Sequence, residues 1–133
     1  MRAIPSILAT LSLSATMALA LPGLPNEEDI NDGLLAVGIA DEIRKNCPSI
    51  SGRVVKAILF MNSLEKLALS RGYSEDQIEA YVNSDAEKAK MRAKGEEYLA
   101  TKGVNRANPE TFCDLGRAEI ASGSQIGSFL RAK

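Results

Sequence analysis

The chain has 133 residues, 16 basic and 17 acidic side chains, a net charge of −1, and neither histidine nor tryptophan. The missing histidine excludes Ser-His-Asp and Cys-His nucleophile systems and every histidine-based metal site. With only three Phe and three Tyr, stacked recognition of sugars or bases is disfavoured. Charges of both signs alternate without a basic tract or an acidic tail, so nothing points to nucleic acid or to an anionic membrane as partner.

The first twenty residues read as a bacterial-type secretory signal peptide. Arg2 supplies a positive start, residues 7–19 are uncharged and mostly apolar, and Ala18-Leu19-Ala20 is a small-residue cleavage site. The expected cut is between Ala20 and Leu21. An uncleaved anchor is the alternative, but the apolar stretch falls short of the roughly 20 residues a span needs. No cysteine sits at the cut, where Leu21 stands, which argues against a lipid anchor. The mature chain then has 113 residues and a net charge of −2, because Arg2 leaves with the leader. It is expected to be periplasmic or secreted, with no stable membrane insertion after cleavage.

That compartment gives the two cysteines their meaning. Cys47 and Cys113 are the only pair, in a chain sent out of the cytoplasm, and read as one structural disulfide. It closes a loop of 67 residues, worth about 4 kcal/mol in the chain-entropy treatment. A redox or metal-binding pair is the alternative, opposed by the wide spacing and the absence of a CxxC.

In chain order, residues 21–30 are rich in proline and acid and are expected to form an extended tail. Residues 31–133 are expected to form a single helical domain. A first helix starts at Asn31 or Asp32 as N-cap, carries Leu35, Ile39 and Ile43 with Leu34 and Ala40 on one stripe, and stops before Cys47-Pro48. Residues 54–69 follow, with 11 of 16 positions apolar. At 100° per residue they spread an apolar arc over more than half the helix, with Val55 and Leu59 falling on the polar side. Such girth predicts the central helix of the bundle, capped by Ser51 and ended by Arg71-Gly72. Glu65 sits within the arc and is expected at its edge, reaching solvent; a buried carboxylate at a functional pocket is the sharper alternative.

Ser74-Glu75-Asp76-Gln77 is a capping box opening a third helix with Ile78, Tyr81 and Val82 on one face. A second box at Ser84 predicts a break there. Residues 86–100 form a polar surface helix ended by Gly103. Asn108-Pro109-Glu110 starts another, with Phe112, Leu115 and Ile120 inward and Gly123 at its end. Ser124 caps a short last helix, residues 125–131, docking through Ile126, Phe129 and Leu130. No strand pattern appears, so the expected class is all-α: four to six helices in a small bundle strapped by one disulfide.

No catalytic constellation emerges. The glycines form no phosphate-cradling loop, and the carboxylate pairs Asp41/Glu42, Glu75/Asp76 and Glu96/Glu97 are sequence neighbours that diverge by 100° on a helix. An enzyme built on Glu65 with Arg44, Arg53 or Arg117 is the weakest reading; catalytic, cofactor and metal residues are all expected to be none.

The stretches IRKNCPSIS (residues 43–51), GYSEDQI (residues 72–78) and ETFCDLGRAEIA with the following SQIG (residues 110–121 and 124–127) carry a resemblance. The chain resembles an uncharacterised, secreted alphaproteobacterial family known only as a domain of unknown function, over about residues 30–131. The resemblance implies pairing of Cys47 with Cys113 and carries over no catalytic or binding residue. From the over-apolar helix, the disulfide and the lack of catalytic groups, two functions are expected. The first is a periplasmic binding or interaction module for an unknown protein or apolar ligand. The alternative is an acid- or stress-responsive holdase, by analogy alone.

Overall fold

The structure, a computed structural model, describes residues 20–133; apart from Ala20, the expected signal peptide lies outside the described residues. A 3-10 turn (Leu24–Asn26) precedes α1 (Glu28–Asn46), β1 (Ile50–Gly52), α2 (Val54–Ser70), α3 (Glu75–Asn83), α4 (Asp85–Thr101), α5 (Glu110–Ser122), α6 (Gln125–Ser128) and β2 (Leu130–Ala132). The fold is a mostly helical bundle strapped by one disulfide, as expected, with one small ribbon added.

The bundle is organised around α1, not α2. α1 packs against the 3-10 turn, β1, α2, α4, α5 and α6. It buries Ala36, Ile39, Ala40 and Ile43, the last fully, among Leu99, Phe112, Leu115 and Phe129. Its charges are gathered towards its ends: Glu28 and Asp29 in the first turn and Arg44 and Lys45 in the last complement the helix dipole, while Asp41 near the C-terminal end is paired with Arg44 and Lys45. The middle is left apolar and small enough to be surrounded. The disulfide decides the rest. Cys47 follows the last turn of α1 and joins Cys113 in the first turn of α5, with Cα atoms 5.2 Å apart. The late helices are therefore tied to α1, and α2 is left at the periphery.

Residues 21–30 are folded rather than extended. Leu24 and Ile30 are buried with Ala68 and Tyr73 in a second, smaller core. The N-terminus of α1 lies at Glu28, and Glu27, its cap, makes no side-chain cap bond. Asn31, expected as the cap, is instead a buried brace. Its Nδ2 donates to the carbonyls of Leu24 and Glu27, both at 2.8 Å, and its Oδ1 accepts the Tyr81 hydroxyl. Each of its hydrogen-bonding groups is thus used, which is what burial of an amide requires.

The local punctuation is where the residues placed it. Ser74 Oγ accepts from the Gln77 N–H at 3.1 Å while Gln77 Oε1 accepts from the Ser74 N–H at 2.8 Å. The chain breaks at Ser84, whose hydroxyl accepts from the Glu87 N–H and opens α4. Gly123 ends α5 at φ 66°.

Two expectations fail between the helices. Ser51 does not cap α2; it lies in β1, and Arg53 occupies the cap position with no side-chain bond. The last helix ends at Ser128, after which residues 130–132 pair antiparallel with β1: Ile50 opposite Ala132, Ser51 opposite Arg131, Gly52 opposite Leu130. Three residues are too few for a period-2 pattern to register. The pairing follows from the docking of Phe129 and Leu130 in the core, which lays the next residues alongside β1.

Candidate interaction face

The candidate site is the outer side of α2. Only Leu64 and Ala68 of this helix are buried, with Ala57, Phe60 and Leu67 half-buried beside them. Phe60 is held by the Phe129 ring, centroids 5.1 Å apart and tilted by 51°, a favourable aromatic geometry. The rest of the apolar arc has nothing over it. Val55 is 72% exposed, Leu59 63%, Val54 57% and Ile58 47%. These four occupy the first two turns of α2, so they form one contiguous patch. Isolated exposed apolar residues are ordinary, whereas a contiguous group marks a contact surface.

Two troughs run beside this patch. The first, of about 450 Å³, lies between α1 and α2 over Leu34, Val37, Ala57 and Ile58. The second, of about 510 Å³, lies among α1, α2 and α3 over Ile30, Leu64, Ile78 and Val82. They share Leu34 and Met61 and so follow one another along α2. A third cavity, also about 450 Å³, lies between α1 and α4 over Leu35, Ile39 and Leu99. Arg106 stands at its edge, bonding Glu42 at 3.0 Å and Glu96.

The charges along the troughs are unevenly placed. The first is lined by Arg44, Arg53 and Asp41, and Asp41 is taken by Arg44 and by Lys45 at 2.6 Å. Burial raises the Asp41 pKa, but these two cations outweigh it and hold the carboxyl below its ordinary value. Arg53 makes no ion pair among the described residues. The second trough is lined by Glu65, Glu75 and Glu79, which likewise have no ion-pair partner among the described residues, and by no lysine or arginine. Glu65 is exposed at the edge of the arc.

The polar clusters elsewhere are braces. Glu119, 7% exposed in α5, accepts the hydroxyls of Tyr98 and Ser124 on its two carboxylate oxygens. Burial and the Glu119 contact push the Tyr98 hydroxyl up to about 12. Both oxygens are occupied and Glu119 lines none of these troughs. At the other end Arg71 bonds Glu27 and, at 2.8 Å, Asp29, while the Tyr73 hydroxyl donates to Glu27 at 2.8 Å. These contacts fasten the start of α1 to the end of α2.

The four residues weighed for chemistry do not meet. Glu65 lines the second trough and Arg44 and Arg53 the first, while Arg117 is bonded to Glu110 and Asp114 on α5. Among the described residues no three His, Cys, Asp or Glu converge as a metal site would need, and no helix is long and apolar enough to cross a membrane. Ala20 and Leu21, the expected cleavage positions, are both exposed. The interaction face had one sequence signal, the placement of Val55 and Leu59 outside the main arc.

Fold and site together define a small helical protein braced by a single disulfide, with an open apolar helix face. The chain belongs to the family of unknown function DUF5333, whose profile matches residues 22–131 and so includes both cysteines and the 3-10 turn. Comparison with curated proteins and with solved structures finds no match.

Proposed function

We propose that the protein is a periplasmic or secreted interaction module, without catalytic activity, and that α2 with its two troughs is its contact face. The observation that carries this reading is the contiguous exposure of Val54, Val55, Ile58 and Leu59 on a helix whose other side is packed. Leaving four large apolar side chains in water forgoes about 1.5–3 kcal/mol for each one that would be fully covered, an arrangement that makes sense if a partner covers them. The buried disulfide and the absence of a membrane-crossing helix among the described residues are compatible with an extracytoplasmic location.

The test is native capture from the periplasm with tagged protein, at neutral pH and after an acid pulse. One stoichiometric partner at neutral pH, lost on Val55→Lys, is the expected result. An empty capture in both conditions, from a protein that does not pair with a second copy of itself either, overturns the reading.

An acid-responsive holdase is the second reading, favoured by the link between α1 and α2. Arg71 holds the Asp29 carboxyl below its ordinary value, and acid that protonates Asp29 weakens the hold of Arg71 on the start of α1. Many clients captured only after the acid pulse is the outcome this reading expects.

A further inference from the structure

The contact face is electrostatically two-ended. At the start of α2 the first trough carries Arg53, which makes no ion pair among the described residues, and Arg44, which is paired with Asp41, with Lys56 exposed one turn on. Towards the end of α2 the second trough carries Glu65, Glu75 and Glu79. Lys66 is exposed next to Glu65 without lining that trough, so this end carries three carboxylates against one cation. Between the two ends lie Val54, Val55, Ile58, Leu59 and Met61. From this we infer that the occupant of the face is a second copy of the same chain, paired through α2 about a two-fold axis.

A two-fold axis demands a self-complementary surface, in which residue i meets j and j meets i. This face meets that condition in one orientation. With the two α2 helices antiparallel, each Arg53 end lies over the other copy's Glu65, Glu75 and Glu79, twice over, and Leu59, midway between Arg53 and Glu65, meets the other copy's Leu59. With the helices parallel, cations face cations and carboxylates face carboxylates. The ends therefore set the register as well as the attraction. An anionic bilayer fits less well, because it would meet three carboxylates on the same strip. A small apolar ligand in a trough fits less well too. Val55 and Leu59, the two most exposed apolar residues of the helix, line neither trough, and only a partner lying across α2 covers them.

The inference rests on the reading of α2 as a contact face, and it is tested on the purified disulfide-bonded protein alone. Light scattering coupled to size exclusion, at loading concentrations up to about 1 mM, is expected to show a dimer that weakens as salt is added. Arg53→Glu alone and Glu65→Lys alone are each expected to be monomers, because like charges then meet at both ends of the pair. Their equimolar mixture is expected to recover the dimer. In the mixed pair the two substituted positions face each other with opposite charges, and the second contact keeps its native Arg53 and Glu65. Both positions are exposed, and circular dichroism checks that each variant is folded. A monomeric wild type, or a mixture that stays monomeric while the wild type dimerises, overturns the inference. So does a wild-type monomer that floats with phosphatidylglycerol vesicles or that captures one foreign protein. That last result would leave the interaction module standing, whereas a dimer that captures nothing would leave the self-pairing standing.

Discussion

Three tyrosines fasten the ends of the helices. Tyr73 donates to Glu27, Tyr81 to Asn31 and Tyr98 to Glu119. Burial comes first in raising all three hydroxyl pKa values, with the neighbouring carboxylate adding to it at Tyr73 and Tyr98 and the Glu87 charge at Tyr81. A raised folded-state value means the fold favours the protonated hydroxyl. The stabilisation is complete below the unfolded value of about 10 and is lost as pH rises through the folded values. A spectrophotometric titration is therefore expected to show no tyrosinate until above pH 10 and then to coincide with loss of the near-ultraviolet dichroism. Gly127 is the other residue-scale constraint. A Cβ there would lie 2.1 Å from the Glu119 carbonyl oxygen. Backbone atoms cannot swing aside as a flexible side chain can, so Gly127→Ala is expected to cost about 1–3 kcal/mol or more, read from the urea midpoint.

Among the elements, α2 is the one whose two sides have different fates. Leu64→Ala removes a buried side chain and is expected to cost about 2–5 kcal/mol. Val55→Ser, two and a half turns away on the open side, is expected to change the stability of dilute protein by less than about 0.5 kcal/mol. Equal costs at the two positions would show that the open side is covered within one chain. The breaks between elements were legible because each is a local device: the Ser74 box, Ser84 as both stop and start, Gly72 and Gly123 at positive φ. The N-terminus of α1 was not legible. Asn31 has the chemistry of a cap, and its actual use, bridging Leu24, Glu27 and Tyr81, depends on a residue 50 positions away.

At the scale of the molecule the Cys47–Cys113 bond is the largest single constraint. Replacing both cysteines by alanine is expected to cost about 2–5 kcal/mol and to loosen α5 and α6 from α1 first, which amide exchange at Phe112 and Ile126 would detect. Acid acts more gently. Arg71 holds Asp29 low and Arg106 holds Glu96 low, while at Asp41 burial is outweighed by Lys45 and Arg44. Depressed values mean stabilisation that is present above the unfolded value of about 4 and lost as pH falls through the folded ones. These groups are largely exposed, so each contributes little. The melting temperature is expected to decline gradually below about pH 4, not to collapse at one pH.

What the residues by themselves determined is mostly local or covalent: the helical class, the ends of most helices, the break at Ser84 and the pairing of the cysteines. Capping groups act within four residues and two lone cysteines have one pairing, so no distant contact is needed to read them. Tertiary structure alone decided which helix is central, that residues 24–30 fold into a second core, and that residues 50–52 and 130–132 meet. Hydrophobicity measures how much a helix gains from being covered, and by that measure residues 54–69 looked central. Which helix is covered depends on what the rest of the chain can reach. The disulfide draws α5 and α6 onto α1 and leaves the more apolar α2 with one side in water.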